Sequence, residues 1–141
     1  MRSIDEQLNP FLDQASAIAD PDRRIRFMIR DFTRIICKNP ELKVLIHETM
    51  SIKDQYFKKI RVVWKKHYLL LKTTIAELQE KKLIGIELSP SRAALFLLGM
   101  MTWTTFWFDY KQTQEADNVA ETALSFALNG LSYKGSRKLR P

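Results

Sequence analysis

Apolar residues recur along this chain at steps of three and four, the period of an α-helix with one buried face. The clearest run spans 56–82, where Phe57, Ile60, Trp64, Tyr68, Leu71, Ile75 and Leu78 share one side. Lys58, Lys59, Lys65, Lys66, Lys72, Glu77 and Glu80 fall largely elsewhere, which predicts an amphipathic helix of about seven turns. Gly85 follows the last period and can supply the left-handed residue that ends it. A second helix is predicted over 21–37, with Ile25, Met28 or Ile29, Phe32 and Ile36 inward and the arginines at 23, 24, 26, 30 and 34 mostly off that stripe. A shorter one covers 40–50 through Leu42, Leu45, Ile46 and Thr49, and another covers 4–19, where Pro10 should break or kink it.

Prolines mark the starts. Asp20-Pro21, Asn39-Pro40 and Ser89-Pro90 each set a capping side chain before a residue whose missing amide costs nothing at the first helical position. Weaker starts lie at or just after Ser51 and near Thr113, where Glu115 and Asp117 suit the positive end of a helix.

The predicted helix over 91–110 departs from this pattern. Its 93–108 stretch carries no charge, and a helix apolar all round has to be covered on more than one side. Those 16 residues fall short of the roughly 20 that span a bilayer, and three threonines interrupt them, so the cover is protein and not membrane. Trp103 and Trp107 share a face with Met100 and Phe96 beside them, a mixture of rigid rings and flexible thioether suited to an apolar cavity. Leu98, Met101, Thr105 and Phe108 lie opposite and are free for another helix. The last helix, over 115–131, interleaves Ala116, Ala120, Ala123 and Ala127 with Val119, Leu124, Leu128 and Leu131, enough for two neighbouring stripes, and Gly130 marks its end.

Charge sharpens the picture. The net charge is +7, but 53–67 alone holds a net +5 and 132–141 a net +4, leaving the remainder slightly acidic. That is two local patches, not a surface that grips DNA everywhere. The one cysteine, Cys37, cannot form an internal bridge, and the first residues lack the apolar core of a signal peptide, so a reducing cytoplasm fits best. Candidate chemistry is scarce. His47 and His67 have no partners at zinc-ligand spacing, the four glycines are isolated, and no nucleophile elbow is visible. No catalytic residue, metal or cofactor is expected. A basic helical nucleic-acid-binding or protein-docking module without a ligand remains open at this point.

The stretch from Leu98-Gly99-Met100-Met101 through Trp103 and Trp107 to Tyr110 resembles the penultimate helix of TetR-family transcriptional regulators. The helix closing on Asn129-Gly130-Leu131 is similar to the family's final helix, and Asp20-Pro21-Asp22-Arg23-Arg24-Ile25-Arg26 is similar to the start of its first regulatory-domain helix. Asn39-Pro40-Glu41-Leu42 resembles the next short helix, and Ile84-Gly85-Ile86 the turn before the penultimate one. This resemblance implies an all-α, TetR-like C-terminal bundle of about six helices, a homodimer through the last two. It also implies a cavity for a small apolar ligand between the long helix and the penultimate one. The family's helix-turn-helix needs roughly fifty residues. None precede Asp20 that could hold it, so DNA is expected only through a head absent from this chain. On this reading 1–131 is the ligand-binding and dimerisation domain, and 132–141 is a basic flexible tail. Phe32, Trp64, Tyr68, Met100, Trp103 and Trp107 are expected to line the cavity. Leu98, Met101, Thr105, Ala120, Ala123, Leu124 and Ala127 are expected to meet the second subunit.

Overall fold

The structure, a computed structural model, describes residues 4–48 and 55–132. It contains α1 (Ile4–Ala17), α2 (Pro21–Lys38), α3 (Pro40–Glu48), α4 (Gln55–Glu80), α5 (Pro90–Trp107) and α6 (Ala116–Ser132), the last entered through a 3-10 turn at Thr113–Glu115. Among the described residues there is no strand, so the expected all-α bundle of six helices is what forms. The expected start near Ser51 and the basic tail lie outside the described residues, apart from Ser132, which ends α6.

Two of the three proline-marked starts behave as their chemistry dictates. The Asp20 carboxylate accepts from the Arg23 amide at 3.2 Å, and Ser89 Oγ accepts from the Arg92 amide at 3.3 Å. Asn39 instead serves the helix before it, donating from Nδ2 to the Ile35 carbonyl at 2.7 Å and closing α2. Pro10 does not break α1, which runs through it unbroken. The buried face of Leu8, Phe11, Leu12 and Ala15 outweighs the one hydrogen bond that proline forfeits.

Helix α2 is the axle of the bundle. It packs most extensively on α6 and also on α4, α5, α1 and α3, and its buried face is correspondingly wide: Ile25, Met28, Ile29, Phe32, Ile36 and Cys37. Helix α6 lies along it through Ala116, Ala120, Leu124, Ala127 and Leu131, a stripe whose alanines let two backbones approach. At the rim Arg34 Nε donates to Asp117 Oδ1 at 2.7 Å, and that hydrogen bond, ahead of the nearby Lys38, holds the Asp117 carboxyl below the usual range. Helix α4 presents Val63, His67, Leu71, Thr74 and Leu78 to the core. Leu71, Ile75 and Leu78 are thus inward as expected, while earlier in the helix Val63 and His67 take the core and Trp64 and Tyr68 are only partly buried, because α1 and α2 flank one side of α4 and α5 the other.

Two polar ties fix the corners. Arg24, expected on the solvent side of α2, is buried; its guanidinium donates to the Ile18 and Ala19 carbonyls at 2.9 and 3.1 Å, to Thr74 Oγ1 at 3.1 Å and to the Glu77 carboxylate at 3.2 Å. One side chain thus satisfies the end of α1 and locks it to α4. At the α4–α5 corner Gln79 Nε2 donates to the Gly85 and Leu88 carbonyls at 3.0 and 2.6 Å, and the Gly85 amide donates to Leu131 of α6 at 3.1 Å. The left-handed residue of this corner is Lys82, with φ of 58°, and not Gly85. Gly130 likewise does not end α6 but lies within it.

Removing Arg24 takes the donor from two backbone carbonyls, while Thr74 keeps its bond to the Leu70 carbonyl and Glu77 is partly exposed and can turn to water. Arg24→Ala is expected to cost about 3 kcal/mol in urea unfolding and Glu77→Gln less than about 1 kcal/mol. Equal costs would mean that the ion pair, and not the carbonyl contacts, holds the corner.

Candidate functional site

Helix α5 has a concave surface on each of two sides. On the α4 side, a groove of about 680 Å³ is floored by Trp64, Tyr68, Leu95 and Leu98 and rimmed by Lys58, Arg61 and Lys65. Tyr68 Oη and Ser91 Oγ hydrogen-bond across it, joining α4 to the start of α5. Behind the floor, Trp64 meets Phe32 edge-on, with ring centroids 6.2 Å apart, and stacks near-parallel to His67 at 6.3 Å. His67 is enclosed by Trp64, Phe32 and Phe11, and its Nε2 has no hydrogen-bond partner among the described residues. That burial pushes its pKa from 6.5 down to about 3, so the imidazole is neutral.

On the α6 side, a groove of about 400 Å³ runs between Met100, Trp103 and Trp107 of α5 and Val119, Ala123 and Phe126 of α6. Its walls are conspicuously wet for their chemistry: Phe96 on the same face of α5 is 79% exposed, Phe126 72%, Trp107 60% and Trp103 59%. Trp103 stacks on Phe106 at 4.4 Å, and Phe106 stacks in turn on His47 of α3 at 3.8 Å. His47 Nε2 also meets Thr105 Oγ1 at 3.0 Å.

The residues expected to form one cavity are therefore divided. Trp64 and Tyr68 line the α4–α5 groove with Phe32 buried behind them, while Met100, Trp103 and Trp107 line the α5–α6 groove. The residues expected at a subunit contact divide too. Ala123 lines the α5–α6 groove, but Leu98 lines the other one. Met101, Thr105, Ala120, Leu124 and Ala127 are buried inside the single chain. The physical reason is that α6 spends its alanine stripe on α2, and α5 turns its Ala94, Leu97 and Met101 side inward, leaving the bulkiest rings outermost. Phe126 went unassigned, although the spacing Val119, Ala123, Phe126 traces the second stripe of α6. His67 was missed because nothing in its sequence neighbours shows that rings from α1 and α2 close over it.

The remaining reactive groups are quiet. Burial pushes the Cys37 thiol up to about 12, well away from a thiolate, and burial together with the neighbouring Cys37 raises Tyr110, whose hydroxyl donates to the Ile36 carbonyl at 2.8 Å. Among the described residues no three histidine, cysteine or acidic side chains gather as a metal site, and no helix is long and apolar enough to cross a membrane. The basic run of α4 is split: Lys58, Arg61 and Lys65 face the groove, and Lys66 faces the opposite flank beside Asp13 of α1.

Residues 19–131 match the family described as tetracyclin repressor-like, C-terminal domain. The fold is similar to that of a TetR/AcrR-family transcriptional regulator from Thermobifida fusca YX-ER1, with a TM-score of 0.75 and 25% identity over 89% of this chain and 67% of that one. It is also similar to AibR, solved in complex with isovaleryl coenzyme A and operator DNA, with a TM-score of 0.72 and 22% identity over 86% of this chain and 65% of that one. The chain thus spans about two-thirds of the length of either structure. No curated protein sequence matches it significantly.

His67 gives the bundle a titration signature. The unfolded imidazole takes a proton near pH 6.5 while the buried one refuses it down to about 3, so below 6.5 the unfolded state binds more protons and stability falls with pH. Between about pH 7 and about pH 5 the chain is expected to lose about 2 kcal/mol that His67→Phe does not lose, read as urea midpoints at the two values. An identical loss in the variant would assign the acid sensitivity elsewhere.

Proposed function

The chain belongs to the tetracyclin repressor-like C-terminal domain family, and from that footing we propose that it senses a small apolar effector and dimerises, as the regulatory part of a TetR-type transcriptional regulator. The observation that carries this reading is the double-sided character of α5, with one apolar groove toward α4 and a second, aromatic and exposed, toward α6.

The two sides call for different occupants. Phe96, Trp103, Trp107 and Phe126 form an extended apolar face, and covering each such ring is worth about 1.5–3 kcal/mol. A second copy presenting the same face to its twin satisfies it by two-fold symmetry and gives a bundle of two α5 and two α6 helices. The α4–α5 groove is narrower in its demands. Trp64, Tyr68, Leu95 and Leu98 offer an apolar bed of the size small-molecule sites use. AibR, with the same fold, was crystallised with an acyl thioester of coenzyme A; an acyl or aromatic effector suits this bed as well. Contact with DNA belongs to a head carried by the full regulator. Its spacing in the dimer responds to the effector only to the extent that the effector binds one arrangement of α4 and α5 better than another.

Neighbouring residues of α6 separate dimerisation from folding. Phe126→Glu, at an exposed position, is expected to keep its helical circular dichroism but weaken the dimer by about 2–4 kcal/mol, giving monomers in light scattering. Ala127→Glu, buried against α2, is expected to unfold the chain instead. A clean dimer of Phe126→Glu would move the interface elsewhere. Titration with fatty acyl-CoAs and with planar aromatics is expected to change the tryptophan fluorescence saturably, with Trp64 as reporter; no change with either class counts against an effector groove.

A further inference from the structure

Buried polar side chains in this bundle find partners, with one exception among the described residues. Arg24 is tied at the α1–α4 corner, and the Thr33, Thr74, Thr104 and Thr105 hydroxyls each donate to a backbone carbonyl of their own helix. Nε2 of His67 has no partner. Three rings enclose it and offer at most a weak N–H···π contact. Phe11 and Phe32 are themselves buried and cross the imidazole plane steeply, with centroids 5.6 and 4.6 Å away. The third ring, Trp64, is only partly buried. It lies near-parallel to His67 at 6.3 Å and also lines the α4–α5 groove, so one indole is shared between the orphaned nitrogen and an open apolar concavity.

Resting on the reading of this groove as the effector site, we propose that its ligand is a neutral, mainly apolar molecule bearing a hydroxyl group, which displaces Trp64 and hydrogen-bonds to Nε2 of His67 while its apolar part lies on Tyr68, Leu95 and Leu98. An unpaired buried nitrogen gains a full hydrogen bond from such a guest, because it gives up no partner and no water to receive it. The imidazole is neutral, so Nε2 either donates or accepts according to its tautomer. A hydroxyl answers both cases, and a carbonyl oxygen answers only one. A carboxylate is the wrong head, since it would carry a full charge in among Phe11, Phe32 and the displaced indole.

A series of one shape with a varied head tests this: ethylbenzene, para-ethylphenol and para-ethylbenzoate, titrated calorimetrically into the full chain. The phenol is expected to bind about tenfold more tightly than ethylbenzene, and the benzoate more weakly than the phenol. In His67→Leu the phenol should lose that advantage while ethylbenzene keeps its affinity. The unaltered chain supplies a second readout that needs no core substitution. With isotope-labelled histidine, the phenol is expected to shift the Nε2 resonance of His67 in nuclear magnetic resonance, while that of His47, assigned through His47→Gln, stays in place. A phenol preference that persists in His67→Leu, or that leaves the Nε2 resonance unmoved, overturns the His67 anchor. Equal affinity for ethylbenzene and the phenol does the same and leaves the apolar groove standing. Tightest binding of the benzoate overturns the neutral head, and no saturable binding of any of the three overturns both the anchor and the groove.

Discussion

Beyond Arg92, helix α5 carries no charge and is apolar on every side, and the rest of this bundle is arranged around how those sides are covered. Its Ala94, Leu97 and Met101 side is buried in the chain's own core. The flank toward α4 is half-covered, because α4 touches it closely at Tyr68 and Ser91 and opens toward Lys58. The flank beside α6 is hardly covered at all, since α6 has already committed its small residues to α2. Of these three sides only the first is closed by the chain itself; the other two are the surfaces to which the proposed effector and second copy are assigned.

The interior that supports α5 is not uniformly apolar, and two of its buried polar groups, Arg24 and His67, contrast instructively. Arg24 finds acceptors on the Ile18 and Ala19 carbonyls, Thr74 and Glu77, so its burial turns a desolvation cost into a tie between the end of α1 and α4. His67, seven residues before Thr74 on the same helix, lies among rings that accept nothing from Nε2. The first rigidifies; the second is a standing cost that keeps the imidazole neutral.

Helix count and type could be read from residue order because periodicity and proline-marked starts are local signals. Asp20 and Ser89 cap as their chemistry requires, and only Asn39 chose the helix behind it. The long helix was recognisable from Phe57 to Leu78, and Leu71, Ile75 and Leu78 are inward as its stripe required, yet near Trp64 the core side shifts to Val63 and His67, since the local facing of a helix is decided by its neighbours and not by its own stripe. The same limit explains α5. That it needs cover on more than one side followed from its charge-free stretch over 93–108. Which side faces which partner depended on how α6 lies on α2, and that is a long-range fact. Met101 and Thr105 therefore turned inward while Trp103 and Trp107 turned out. Arg24 was hidden by a general expectation that arginine faces solvent; only the backbone carbonyls brought near it by the α1–α2 turn make burial affordable.

The corner between α4 and α5 is riveted. Gln79 grips two carbonyls of the connecting turn, and Gly85 is fastened to Leu131 at the end of α6. A pair of long arms clamped at one end behaves as tongs. The distance along α4 from Gln79 to Lys58 is about 30 Å, so a tilt of about 5° at the rivet opens the jaws by about 2.5 Å. Any movement at the rivet is thus read out most strongly at the Lys58 end of α4, one long lever arm away.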